Sequence, residues 1–505
     1  MSFSKTNNLS VSVAIEDSLG VLPSTPLWVR LEPNSLDTYG AEITTVPRAP
    51  ISNTRQNRKG AVVDLDSSVE WAGDLTKDHA LLFMESFIFA NMAEADIIVR
   101  LQAGADYNTL AAGSDAFTHT AITTEIAEGT LVFARGFSTA GNNGLFEVDA
   151  SSTTTSTPLA NTPGVTSETP SNSSGARVDV CGFRITDGTW DDTDKQFGST
   201  LTDLSTLGLT VGQSLRMGSD ENAFGNGQAV GRITAISAAA ITLDKLENLG
   251  SGTLNGGGDE TSSACDLLYG PFIRNVSVDD SDYVERSLQF EVVYDNLQNP
   301  DDTGDEYEYS VGNLANELTM NMNAQDKATL SFGFIGLNTE DITTTRKSNT
   351  SNTVLPVQTT AFNTSSDFSR LNLWDAAEGD LGACFKTLTL TLGNEVSPEK
   401  CLGTLGALFM NTGNFTVSME AELLFTDSDL ANAVKSNDTV TFDVLLRNDD
   451  GALHVDIPSM TLSGGARSFP VNETIRISVT GTAFEDDTLG TSLSFTEYPY
   501  FPSVS

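Results

Sequence analysis

The sequence predicts a mainly β chain: two tandem β-sandwich or barrel domains, each with one short helix, plus small inserted β modules. Three observations carry this. Apolar residues come mostly in short alternating runs rather than at helical spacing. Thr, Ser, Gly, Asn and Asp fill the intervals, as turns require. The length of 505 residues exceeds what one core serves, since single cores stop growing at roughly 250–300 residues.

Residues 41–71 read as extended chain. A helix follows over 80–92, with Ala80, Phe83, Met84, Phe87, Ile88 and Met92 on one apolar face and Asp74 or Thr76 as N-cap. Two look-alike units of strand, Gly-rich turn and strand come next, at about 115–160 and 196–247, inside an insertion over 104–265. Period-2 strands resume at 289–294, 317–322 and 327–334. The polar stretch 343–366 reads as a connection. A second series of strands over 385–425 leads to a short helix over 427–436, capped by Thr426 with Asp429 three residues on. Strands at 440–446, 454–457 and 474–479 close the chain. The expected organisation is a first domain from 1–103 and 266–342, modules over 104–265, a linker over 343–370, and a second domain over 371–505.

Asp and Glu number 68 against 27 Lys and Arg, a formal charge of −41. Gripping nucleic acid needs clustered cations, and anionic membranes attract the same. This composition argues against both and favours solubility or a surface that repels polyanions. Cys181, Cys265, Cys384 and Cys401 are scattered without a paired motif, which disfavours a disulfide scaffold or a zinc site. Residues 1–8 carry no secretory pattern, and no apolar run is long enough to span a membrane, so the cytoplasm is the expected site of synthesis and assembly.

No catalytic constellation emerges. His79, His119 and His454 lack a partner motif and read as ordinary structural or surface histidines. The acidic runs 279–282 and 301–306 do not match a calcium loop and read as solvated. Gly256-Gly-Gly258 lacks the Lys and helix of a phosphate loop. No catalytic, cofactor or metal residue is expected, and no enzyme. Arg48, Arg55, Arg58 and Lys59 form the one informative basic cluster, suited to an inter-subunit contact, a small anion site or a solvated turn.

The order of elements and several phrases resemble the tail tube proteins (major tail proteins) of long non-contractile-tailed bacteriophages, of the duplicated-domain type. The carrying residues are 39–51, 58–60 and 71–76 before the first helix, then 307–318 with 331–336, and the final strands. The resemblance implies tail-tube-like domains and subunits stacked as rings into a hollow tube through which DNA leaves the capsid. Three copies of a duplicated subunit would form a pseudo-hexameric ring; a hexamer is the alternative. It further implies a long hairpin lining the channel and touching neighbours, here carrying Arg48, Arg55, Arg58, Lys59, Asp64 and Asp66. Partners would be the tape measure protein and the terminator and baseplate proteins, with DNA in transit and no membrane. The place of work would be the virion tail. A surface adhesin or S-layer-like β protein is the competing reading, and a polysaccharide-active enzyme a third. If the tube reading holds, the channel-facing hairpins are net acidic.

Overall fold

The computed structural model describes residues 9–502 except 50, 52, 54–55, 94–99, 103–109, 171–174, 220–223, 226, 251, 295–303, 348–358, 376–378, 427 and 470. The fold is mainly β, as the alternating runs require.

The body is built from two successive sets of seven elements. The first set is β1 (Leu9–Ile15), β2 (Ser35–Arg48), β3 (Arg58–Asp74), α1 (Lys77–Ile88), β4 (Leu288–Tyr294), β5 (Glu306–Asn323) and β6 (Thr329–Gly336). The second is β7 (Phe368–Asp375), β8 (Cys384–Gly393), β9 (Thr416–Leu424), α2 (Asp429–Ser436), β10 (Thr439–Asn448), β11 (Gly451–Ser468) and β12 (Arg476–Ala483). In the first set the antiparallel ladder runs β1-β4-β5-β6-β3-β2. In the second it runs β7-β10-β11-β12-β9-β8, the same order position for position. A ladder between β5 and β8, from Glu317↔Gly393 to Asn323↔Thr387, joins the two sets edge to edge.

The long strands β5 and β11 each change partners along their length. β5 pairs with β4 through Asn313, and its later part pairs with β6 and β8. A bulge between Ala315 and Glu317, and another between Gly464 and Ala466 in β11, give the bend. One continuous core fills the space beneath both sets. Leu36, Trp71, Phe332, Leu318, Leu392 and Val417 stand in register as one core row across the joint. Each fully buried large apolar side chain there contributes about 1.5–3 kcal/mol.

Both helices are shorter than expected. The Thr76 hydroxyl caps α1, accepting from the His79 N–H at 3.2 Å, so Thr76 rather than Asp74 is the cap. The helix stops at Ile88 because Phe89 turns left-handed (φ 53°). α2 starts at Asp429 rather than 427, behind Ser428, which makes no side-chain cap bond. The Phe425 N–H still bonds the Ile475 carbonyl at 3.0 Å, so β9 holds its register to that point and delays the helix. Residue 427 lies outside the described residues.

Between α1 and β4, the strands from Arg100 to Leu268 pair among themselves in two sheets. Thr130–Arg135 with Gly144–Glu147, and Ser214–Met217 with Gln228–Ile236, all join one sheet, reached through Arg177–Asp191 and Glu260–Leu268. Although they interrupt the first set, these strands rest on the second. Arg232 of the insertion reaches Asp456 of β11 at 3.1 Å, and Asn372 of β7 donates to Glu247 at 3.0 Å. Val230 and Leu249 pack with Leu445, Ala452, Tyr498 and Phe501. β13 (Ser494–Tyr498) ties the parts together: it pairs with β11, and its Glu497 meets Lys77 of α1 at 3.0 Å with both side chains fully buried.

Candidate functional site: a hydroxyl-lined sheet and its free hairpin

Eight antiparallel strands run edge to edge in the order β2-β3-β6-β5-β8-β9-β12-β11. Cross-strand partners share a face, so register assigns the rows. Opposite the core, Ser35, Ala72, Ser331, Thr319, Thr391, Ser418, Thr482 and Thr461 form one row across all eight strands. The next row reads Asp74, Thr329, Asn321, Thr389, Glu420, Thr480 and Ser463. On the other side lie Thr38, Glu70, Gly333, Glu317, Gly393 and Thr416. β-branched Thr favours the pleated backbone and keeps a hydroxyl at the surface.

Many of these hydroxyls are engaged sideways. Thr389 Oγ1 donates to Asn321 Oδ1 across the joint at 2.9 Å, and the Ser463 and Thr480 hydroxyls meet at 2.7 Å. Glu70, Glu317 and Glu420 stand exposed among them. Cations at the margin are occupied: Arg476 sits 3.2 Å from both Glu422 and Glu473, and Lys327 2.6 Å from Asp74. Lys386 is exposed at the β8 bulge. Gly333 opens a groove of about 420 Å³ between Asp37, Glu70 and Glu317.

The first hairpin outruns the sheet. Among the described residues, β2 and β3 pair only with each other beyond Glu42↔Asp66, up to Arg48↔Arg58. Ile43, Val46, Val62 and Val63 on this arm are each at least half exposed. Of the basic cluster, Arg48 and Arg58 face each other as cross-strand partners, and they and Lys59 are exposed. Arg55 lies outside the described residues. Asp64 and Asp66 sit at the root of the arm, where Lys400 bridges them at 2.7 and 2.6 Å. The Lys400 hydrogen bond holds the Asp64 carboxyl below its ordinary range, and the same two carboxylates raise the Lys400 ammonium. Sequence reasoning missed Lys400. It lies far along the chain in the loop after β8, and no local pattern marks it.

The face carries no histidine. His79 lies against Trp71 on the core side, with ring centroids 5.8 Å apart. His454 is buried in the β10–β11 ladder, where desolvation, then Arg370 and Arg232, hold its pKa well below normal. His119 bonds Thr120 and Thr157 in the insertion. Among the described residues, no group of three or more His, Cys, Asp or Glu is placed to hold a metal ion. What the face can do is present hydroxyl and carboxylate groups over a wide, continuous area.

Residues 246–483 match the family model described as phage tail tube protein. Over this region, a little under half of its length, the chain is similar to the phage tail tube protein family. The matched stretch runs through β4–β12 and so contains both strands of the β5–β8 joint. Among curated proteins, no relative matches the chain. The similarity supports a structural role in a virion tail. Among the described residues, no helix is long and apolar enough to cross a membrane.

Proposed function

We propose that this tail tube protein is a wall unit that self-assembles into stacked rings, with the hydroxyl–carboxylate face of its eight-stranded sheet turned to the channel through which DNA leaves. The observation that carries the reading is that sheet itself: it continues unbroken across both sets of elements, with one face in the core and the other lined mainly by hydroxyl, amide and carboxylate side chains. A conduit must enclose a polyanion without holding it. Neutral hydroxyls bind water, and carboxylates repel phosphates. A Lys/Arg lining would instead bind DNA through counterion release.

Two sets of elements per chain favour three chains per ring over six. Neighbours along the tail would be the tape measure, terminator and baseplate proteins, with assembly in the host cytoplasm and no catalytic role. The hairpin arm with Arg48, Arg58 and Lys59 reaches beyond the sheet and fits a contact with a neighbouring subunit. The insertion covers the side of the second set away from the hydroxyl face, which suits display outside the tube. The family match over residues 246–483 favours this reading over an adhesin. The test is electron microscopy of concentrated protein over a range of salts. Hollow tubes support the reading, and dispersed single chains under every condition count against it.

A further inference from the structure

We infer that the second set carries an open seat for a short aromatic strap, and that residues 1–8 of a second copy of the chain fill it with Phe3 as the anchor. The choice of a second copy rests on the tube reading. The seat itself rests on the fold.

The first set shows what such a seat holds. β3 and β6 end at Asp74↔Thr329, and the Leu75 N–H then bonds the Ala328 carbonyl at 2.9 Å. The linker crosses this end of the sheet. Phe362 donates its N–H to the Leu75 carbonyl at 3.0 Å and accepts from the Ala328 N–H at 2.9 Å. Asn363 bridges Lys327, and the Thr364 hydroxyl accepts from the Asp326 N–H at 3.0 Å. Phe362, Leu75 and Ala328 are all fully buried.

β9 and β12 end in the same way. Leu424↔Arg476 closes their ladder, and the Phe425 N–H bonds the Ile475 carbonyl at 3.0 Å. No bulge interrupts either ladder, so Phe425 stands where Leu75 does, and Ile475 where Ala328 does. Here, among the described residues, no hydrogen bond takes the Phe425 carbonyl or the Ile475 N–H. Ile475 is 36 % exposed, and Phe469 and Val471 of the same turn are 70 % and 86 % exposed. The seat thus offers one acceptor, one donor and an apolar wall. Main-chain bonds of this kind hold an extended segment, and the pocket selects its side chain.

The chain itself supplies the matching segment. β1 and β7 hold the same place in the two sets, and the strap on the first set is the stretch ahead of β7. Phe362 stands six residues before Phe368, where β7 begins. Phe3 stands six residues before Leu9, where β1 begins. Ser4 then takes the place of Asn363, and Lys5 that of Thr364. Where Thr364 reads Asp326, Lys5 reads Glu473. Glu473 and Glu422 share the single cation Arg476, so this turn keeps an excess of negative charge for Lys5. The strap ahead of the second set sits on the first. The strap ahead of the first set belongs on a second set that precedes it, which in a ring is the neighbouring copy's.

The test is disulfide trapping with Cys384→Ser and Cys401→Ser as background. Ser4→Cys with Thr474→Cys matches the bridge between Asn363 and Lys327, and Asn363→Cys with Lys327→Cys is the control inside one chain. On non-reducing gels, oxidised protein should show the 4–474 link between chains at least about tenfold more than the distant pair Ser4→Cys with Ser418→Cys, because a disulfide needs Cα atoms within roughly 7 Å. Adding Phe3→Ala should bring the link down to the level of the distant pair; an undiminished link would overturn Phe3 as the anchor. Tubes that assemble without the 4–474 link overturn the strap and leave the tube reading standing. A link confined within single chains overturns the second copy as occupant. Linked chains that never build tubes uphold the strap and sink the tube reading. A chain that neither links nor assembles at high concentration contradicts both.

Discussion

At the residue scale, the side chains that matter most are those beneath the β5–β8 joint and those that clamp buried charge. Leu318 is fully buried and faces Phe332 on one side and Leu392 on the other. Leu318→Ala should cost about 2–5 kcal/mol, the range for a large-to-small change in a packed core, read as a lowered urea midpoint. Lys77 and Glu497 are a different case, since both are fully buried. Lys77→Met strands a carboxylate in the interior and should cost roughly 3–5 kcal/mol, while the double change Lys77→Met with Glu497→Gln should recover part of it. In the insertion, burial tends to raise the Glu168 carboxyl, but hydrogen bonds from Ser138 and Thr139 outweigh this and lower it to about 2. A carboxyl depressed on folding stabilises above its unfolded pKa, and that contribution is lost as pH falls through the folded value. The protection factors of the Ser138 and Thr139 amides, taken relative to intrinsic exchange at each pH, should therefore be high at neutral pH and fall between about pH 4.5 and 2. Some of this scale was legible in sequence. The basic cluster on the arm stood out because cations are scarce, yet its acidic neighbours at Asp64 and Asp66 answer to Lys400, hundreds of residues away. Only the tertiary fold brings that ion pair together.

At the element scale, alternation in the sequence marked both faces of the strands before any partner was known. Glu317-Leu-Thr-Met-Asn-Met322 already separates the hydroxyl side from the core side. Periodicity cannot say that β5 pairs with β8, because pairing partners far apart in the chain leave no local trace. The helix ends were misjudged for a related reason: Phe89 adopts a left-handed backbone that an apolar helical stripe does not forecast, and the Phe425–Ile475 bond delays α2. Two predictions belong here. Shortening the arm by removing residues 44–61 should leave the monomer's unfolding transition unchanged, because among the described residues no other strand pairs there, and should weaken assembly in sedimentation. Placing cations on the polar face by Thr319→Lys with Thr391→Lys should leave tubes intact but make them retain duplex DNA. That retention should fall steeply between about 50 and 200 mM salt; equal release from native and substituted tubes at low salt would speak against a channel role for the face.

At the scale of the whole molecule, the charge of −41 acts by placement. Screening confines its influence to about 8 Å at physiological salt, so only carboxylates on the channel wall bear on DNA. Glu70, Glu317 and Glu420 stand on the polar face, while other acids are spent holding the structure: Asp443 grips Arg370 at 2.5 Å, and Asp456 meets Arg232 where the insertion docks. The mainly β architecture was legible from composition and alternation. The insertion's resting place on the second set was not, since its contacts run through buried Arg–carboxylate pairs between distant strands. The most direct test of the central claim is a cryo-EM reconstruction of assembled protein. The account predicts a hollow tube whose inner wall is the β2-β3-β6-β5-β8-β9-β12-β11 sheet, with Thr319, Thr391, Ser418 and Glu420 facing the lumen and the insertion outside. A tube with those side chains on its outer surface, or a lumen lined by Lys and Arg, would contradict it.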